Sequence, residues 1–301
     1  MQPTAITVRV PATSANLGAG FDCLGLALDL FASITVTFAA HDLMPTEDVG
    51  EKMVLTAVRQ AYQRLERPPP PGIRARYNVS IPLGRGLGAS VVACVAGVLA
   101  TNEFEGSPLT MDACMAIAAD IEGHGDNACP ATFGGMRVCV SNQGSYFHAA
   151  CAYPKDVAMA ILIPDHPMAT KEARKALPDT YSRADAVHNI GRAALFVAAM
   201  AGNKMDLLAE ATDDVVHQPQ RAAMFPPMYD IFAVARRAGA HAAWLSGAGS
   251  SIAAICPDAV SRQVSTAMQE ALQGAGHTGR SLVTRIAAQG AQVSTIELVD
   301  R

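Results

Sequence analysis

Three short segments of this chain carry residue types that can do chemistry. In Pro82-Leu83-Gly84-Arg85-Gly86-Leu87-Gly88-Ala89-Ser90, three glycines stand at every second position, between a strand-like run and a long stretch of small residues. Glycines so placed let backbone N–H groups turn toward one point, and a helix starting just beyond adds partial positive charge, so the loop is a candidate anion cradle. It is not a Walker A loop, because no Lys-Ser or Lys-Thr follows the last glycine, and its G-x-G-x-G spacing misses the dinucleotide fingerprint. Taken alone, such a loop is more often a tight turn than a ligand site.

Pro11-Ala12-Thr13-Ser14-Ala15-Asn16-Leu17-Gly18-Ala19-Gly20-Phe21-Asp22 interleaves side chains that can grip hydroxyl and amine groups with glycines that admit close backbone approach. By local chemistry alone an Asn/Asp-rich turn is the better account of it. Ile121-Glu122-Gly123-His124-Gly125-Asp126-Asn127 packs acid, imidazole and amide into one turn. A single His in a turn is commonly a hydrogen-bonded structural residue, and one Asp beside one Glu is thin support for Mg²⁺.

The elements that must position these loops read as follows. Strands are predicted at Ile6 to Val10, Ser33 to Ala39 and Ala75 to Ile81. Asp48 to Leu65 has helical spacing and ends before Pro68-Pro69-Pro70-Pro71, which cannot continue a helix. Val91 to Phe104 is too long and too small-sided for a strand and reads as a buried helix, and Met111 to Glu122 is a second one. Beyond Pro154 the composition shifts. Val157 to Ile163 is a strand, with helices at Lys171 to Ala176, Ala184 to Met200, Leu207 to Thr212 and Met228 to Ala238. Strands at Ala240 to Leu245 and Ile252 to Cys256 flank the turn Ser246-Gly247-Ala248-Gly249-Ser250-Ser251, and a helix at Ala259 to Gln273 precedes strands at the C-terminus. Without regular βαβ alternation this order argues an α+β fold in two halves, 1–155 and 156–301.

The chain is 301 residues long, enough for one large or two fused domains. Its 23 basic and 27 acidic residues give −4 with no dense Lys/Arg block, which excludes a nucleic-acid binder that neutralises a row of phosphates but leaves room for a small anionic ligand. Seven cysteines, odd in number and never in a CxxC, read as buried small hydrophobes of a reducing compartment. No targeting pattern opens the chain and no apolar run reaches about 18 residues. The expectation is a soluble cytoplasmic protein with no membrane partner.

Jointly, these segments resemble the homoserine kinases of the GHMP kinase superfamily. Val8 to Leu28 is similar to that family's N-terminal substrate motif, Pro82 to Ser90 to the superfamily's phosphate loop, Glu122 to Gly135 to its acid-His-amide segment, and Leu245 to Ser251 to its C-terminal glycine loop. Thr170 to Pro178 and Asp214 to Arg221 look like the homoserine kinase arms. The resemblance spans residues 8 to about 256 in the family's order.

It implies a two-domain α+β fold with a left-handed βαβ in the N-terminal, ATP-binding half and a ferredoxin-like C-terminal half, and a homodimer acting in threonine biosynthesis. It implies phosphorylation of the side-chain hydroxyl of L-homoserine by ATP with Mg²⁺. Asn16 and Asp22 would hold the substrate's hydroxyl and ammonium ends beside His124 and Asn127. Arg174 and Arg221 would clamp its carboxylate, with Thr170 near the transferring phosphate, although arginines on polar helices are otherwise usually solvated. Two forked donors suit a planar carboxylate. Ser90 and Glu122 would reach Mg²⁺. Asn127 stands where mevalonate-kinase-like relatives carry a potential base, and an amide cannot take a proton at neutral pH, so catalysis without a side-chain base is expected.

Ala89 replaces the first serine of the usual phosphate loop, Val91 and Val92 replace alanines, Ser250-Ser251 replace Pro-Thr, and the family's adenine-pocket segment is not recognisable in Pro45 to Gly50. Two alternatives stand beside the main reading. One is a related kinase for another small hydroxy compound, against which both arginines speak. The other is a ligand sensor that has lost phosphoryl transfer, supported only by Ala89 and the adenine region.

Overall fold

The computed structural model describes residues 4–41, 44, 46–78 and 81–298. The first half opens with two long strands, β1 (Thr4–Ala15) and β2 (Leu24–Ala39), paired antiparallel along nearly their whole length. Helix α1 (Val49–Leu65) starts at Asp48, whose carboxylate accepts the Glu51 N–H at 2.9 Å, and stops at Glu66 in the left-handed conformation ahead of the proline run. Then follow β3 (Gly72–Asn78), α2 (Ala89–Phe104), α3 (Met111–Glu122), α4 (Ala128–Phe133), β4 (Met136–Asn142) and β5 (Ser145–Cys151). The strand predicted to Ile81 ends at Asn78, and residues 79–80 lie outside the described ones.

Helix α2 is buried almost all round, which its run of Ala, Val, Cys and Gly permits. Gly97 lets α1 come close, since a Cβ there would lie 2.6 Å from the Val54 carbonyl oxygen. Val92 and Val98 are wholly buried in this layer, each contributing roughly 1.5–3 kcal/mol. The helix is thereby fixed, and its N-terminus carries the glycine loop.

The second half contains β6 (Val157–Pro164), α5 (Thr170–Lys175), α6 (Arg183–Ala201), α7 (Leu208–Ala211), α8 (Gln218–Ala222), α9 (Met228–Arg237), β7 (Ala242–Leu245), β8 (Ile252–Pro257), α10 (Ser261–Gly274) and β9 (Gly279–Thr284). Its sheet runs β7-β8-β6-β9, all antiparallel where paired. Numbered within this half, that is order 2-3-1-4 with a βαββαβ succession, the ferredoxin-like arrangement expected from the resemblance. The last strand, β10 (Gln292–Leu298), crosses back to pair with β1, so the first sheet runs β10-β1-β2-β4-β5 with β3 on β2. A division at residue 155 falls between β5 and β6, while β10 lies in the first sheet.

Sequence periodicity missed α4, α8 and the β4–β5 hairpin. The two helices are one to two turns long, and β5 alternates exposed and half-buried residues without a clean apolar face. All seven cysteines are free, five of them buried. No helix among the described residues is long and apolar enough to cross a membrane.

Candidate active site

One cleft of about 620 Å³, open mouth included, gathers the three segments and both arms. Asn16, Asp22, Gly84, Arg85, Gly86, Gly88, Ala89, Ser90, Glu122, His124, Asn127, Thr170, Arg174 and Arg221 all line it. Pro82, Leu83 and Leu87 do not: Leu83 packs on the core and Leu87 is buried, its carbonyl accepting the Thr13 N–H at 3.1 Å. Pro45 lies outside the described residues, and Thr46 to Gly50 do not line this cleft.

The glycine loop is held open by the turn between β7 and β8. Ser246 Oγ donates to the Gly86 carbonyl at 2.7 Å and lies 2.8 Å from Ser14 Oγ, to which Trp244 Nε1 donates at 3.1 Å. The Ser251 N–H binds the Arg85 carbonyl at 3.1 Å, and Arg85 itself donates to the Pro164 and Asp165 carbonyls. At Gly86 a Cβ would sit 2.0 Å from the Ser246 carbonyl oxygen, and at Gly88, the left-handed residue capping α2, 2.0 Å from Thr13 Oγ1. Only glycine fits either position. The cradle at the α2 N-terminus is therefore built from backbone, as an anion site requires.

Ser90 and Glu122, far apart in sequence, meet at that helix start with Oγ donating to Oε1 at 2.5 Å. Cys94 Sγ also faces Glu122 Oε1, at 3.6 Å, and burial beside that carboxylate pushes its thiol pKa up. A hydroxyl and a carboxylate beside a phosphate cradle form a hard oxygen pair fit for a divalent cation.

Elsewhere in the cleft, carboxylates and guanidinium groups are gathered together. Donor atoms of Asp22, His124 and Asp126 all lie within 4.8 Å of one another. Asp126 is buried and accepts from His124 Nδ1 at 2.5 Å, from the Asn127 N–H at 2.9 Å and from Asn127 Nδ2 at 3.3 Å. Burial works against protonated His124, but the hydrogen bond and charge of Asp126, helped by Asp22, outweigh it and raise the pKa. Asn127 Oδ1 accepts from Thr13 Oγ1 at 2.6 Å, leaving the amide fully oriented.

The guanidinium groups are those of Arg174 on α5 and Arg221 on α8. Arg174 is paired with Asp22 through both guanidinium nitrogens, at 2.6 and 2.9 Å, which raises its pKa. Arg221 is only 2 % exposed, contrary to what a polar helix suggests. It donates to His217 Nδ1 and to the Gly247 carbonyl, each at 3.0 Å, and no carboxylate lies within ion-pair distance of it among the described residues. Burial, together with repulsion from Arg174, pushes its pKa down to about 10, so it stays charged at neutral pH. A buried cation in a cleft wall, lacking a carboxylate, is chemically suited to an anionic ligand group.

Asn16 ties the two halves: its Nδ2 donates to the Gly247 carbonyl at 2.9 Å and its Oδ1 accepts the Asp22 N–H at 3.1 Å. Sequence reasoning placed Asn16 on the substrate hydroxyl, and in the structure its amide is already held by backbone on both sides. Asp126, Phe21, Gly247 and Ala248 also line the cleft, though the sequence assigns none of them a role in the site. For Asp126 a signal existed, since it stands between His124 and Asn127 in the same turn.

Residues 52–135 match the GHMP kinases N terminal domain and residues 193–274 the GHMP kinases C terminal domain. The homoserine kinase of Picosynechococcus is 35% identical over 95% of this chain and 98% of its own length. That of Deinococcus radiodurans is 41% identical over 82% of both chains. The crystal structure of homoserine kinase from Cytophaga hutchinsonii superposes with a TM-score of 0.86 at 26% identity, covering 96% of this chain and 97% of that one.

Proposed function

The chain belongs to the GHMP kinases and, within them, to the homoserine kinases, and from that premise we propose that it transfers the γ-phosphoryl group of ATP to the side-chain hydroxyl of L-homoserine. One observation carries the substrate: the carboxylates of Asp22 and Asp126 and the guanidinium groups of Arg174 and Arg221 line one cleft, Asp22 directly paired with Arg174. A zwitterionic amino acid is complementary to that arrangement, its ammonium toward Asp22 and its carboxylate toward the arginines.

The donor end fits ATP. Backbone N–H groups of Gly86 to Ser90 and the α2 terminus would receive its phosphates, and Thr170, which lines the same cleft, would lie near the transferring phosphate. Ser90 and Glu122 would hold Mg²⁺, which when bound neutralises charge building on the phosphate oxygens. His124 and Asn127, both tied to Asp126, would fix the direction in which the acceptor hydroxyl approaches. Because Asn127 cannot take a proton, rate comes from alignment and electrostatic stabilisation rather than from a side-chain base. The two halves act as one machine through Asn16 and Ser246, and the reading includes a homodimer.

A coupled ADP-release assay with ATP and Mg²⁺ against a panel of hydroxy amino acids tests this. Homoserine is expected to stimulate release most strongly. Strong stimulation by another alcohol, with homoserine inert, would overturn the substrate, and no ATP binding at all would favour the sensor.

A further inference from the structure

His217 sits directly behind Arg221 and has no part in the reading above. It is wholly buried, and its surroundings determine its tautomer. Nε2 faces acceptors, the Gly18 carbonyl oxygen at 2.9 Å and Asp214 Oδ2 at 3.5 Å, so it carries the hydrogen. Nδ1 faces Arg221 Nη1 at 3.0 Å, a group that can only donate, so it is the acceptor. Asp214 fixes the backbone beneath, accepting the N–H groups of Val216, His217 and Gln218 at 3.0, 2.9 and 2.6 Å.

Phe21 completes the arrangement. Its ring stacks on the imidazole at 5.4 Å, and the guanidinium carbons of Arg174 and Arg221 each lie 5.5 Å from its centroid. Both guanidinium groups thus lie within cation–π range of the same ring that stacks on the imidazole. Gly18 belongs to the N-terminal loop and Arg221 to α8, so one imidazole couples the loop that carries Asp22 to the arm that carries the buried cation.

We propose that His217 is a positioning residue of the acceptor site: as the Nε2–H tautomer, backed by Phe21, it fixes the Arg221 guanidinium where the substrate carboxylate arrives. The inference rests on the reading of Arg221 as a carboxylate ligand and adds what sets that ligand's geometry.

The test compares three replacements. His217→Phe keeps the ring and loses both hydrogen bonds. His217→Gln can reach the Gly18 carbonyl but offers no acceptor at the Nδ1 position, and His217→Asn presents an oxygen there. Steady-state kinetics with homoserine should show KM raised roughly 10- to 100-fold in the Phe and Gln variants, least in Asn, with kcat changed far less. Homoserinol, which lacks the carboxylate, should show no such ordering. Arginine-selective labelling with phenylglyoxal, mapped by mass spectrometry, should speed up at Arg221 and not at Arg174 in the Phe and Gln variants, with Asn restoring slow labelling. Thermal melts identify any variant that fails to fold, and the Gln and Asn pair then decides. An unchanged KM with unchanged labelling, or equal losses for both acceptors, would overturn the proposal. Failure of the parent chain to phosphorylate homoserine would instead overturn the substrate reading, while the labelling comparison would still report on His217.

Discussion

Arg174 and Asp22, 152 residues apart, close a two-pronged ion pair across the mouth of the acceptor site, at 2.6 and 2.9 Å. Each is assigned to an opposite end of the substrate, so an arriving amino acid exchanges one internal pair for two external ones. A ligand with a single charge leaves one partner of the pair without compensation. On the proposed assignment the pair would favour zwitterions over amino alcohols and hydroxy acids.

The two arginines should therefore differ in weight. Arg174 is half-exposed and already paired, whereas Arg221 is buried with no carboxylate to give up. Arg221→Ala is expected to lower kcat/KM for homoserine by about 3 kcal/mol and Arg174→Ala by about 2 kcal/mol. Homoserinol should lose little in either. Kinetics with both acceptors check this, and equal sensitivity of the two would mean that the arginines serve something other than the carboxylate.

Ser90 and Glu122 should govern the metal requirement. Ser90→Ala and Glu122→Gln each remove one member of the 2.5 Å pair at the α2 start. Both should raise the Mg²⁺ concentration giving half-maximal rate, Glu122→Gln more, because it also removes a charge. A Mg²⁺ titration at fixed ATP decides: an unaltered half-saturation point with a reduced plateau would assign the pair to structure alone.

Asn127→Asp should slow the enzyme. The new carboxylate would lie against Asp126, whose Oδ1 is 3.3 Å from Asn127 Nδ2, and would replace an attractive contact by like-charge repulsion close to the phosphates. A rate gain, accompanied by a new ionisation in the pH profile, would show that a missing base had been limiting.

Acid should destabilise the fold through His217. Burial pushes its pKa down to about 4, whereas in the unfolded chain it titrates near 6.5. Between those values the unfolded state binds more protons, so stability rises with pH across the window and is lost as pH falls through it. From pH 7 to pH 5 the parent should lose on the order of 2 kcal/mol more than His217→Gln in urea unfolding. Parallel losses in the two proteins would place the acid sensitivity elsewhere.

What could be read in the sequence was local. The spacing of Gly84, Gly86 and Gly88 and the cluster Glu122 to Asn127 are short-range patterns, and they line the cleft. Pairings across long separations leave no such trace: Asp22 with Arg174, Ser90 with Glu122 and His217 with Gly18 appear only once the chain is folded. Arg221 shows the limit most clearly, since its helix, Gln218–Ala222, is too short for a buried face to be read from periodicity. The return of β10 to β1 is a matter of topology that a strand's own composition does not encode.

Ala89 tests how far the phosphate cradle depends on side chains. It lines the cleft as the first residue of α2, and its carbonyl accepts Tyr77 Oη at 3.0 Å, which anchors the helix start independently of any hydroxyl at this position. The loop amides and helix terminus remain as donors, so retained chemistry is expected, with one charge-assisted hydrogen bond to phosphate, worth about 1.5–3 kcal/mol, fewer than a serine would give. Val91 and Val92 are both buried, Val91 against the cleft and Val92 in the core, so their bulk is absorbed without displacing the α2 start from the Glu122 side. Ala89→Ser should accordingly lower the KM for ATP by about tenfold or more, since such a bond corresponds to roughly 10- to 100-fold in affinity, and raise kcat less. Calorimetric ATP titration beside steady-state kinetics of parent and variant measures both quantities. Unchanged ATP affinity would show that the backbone donors already saturate the phosphate, and that the cradle is complete around alanine.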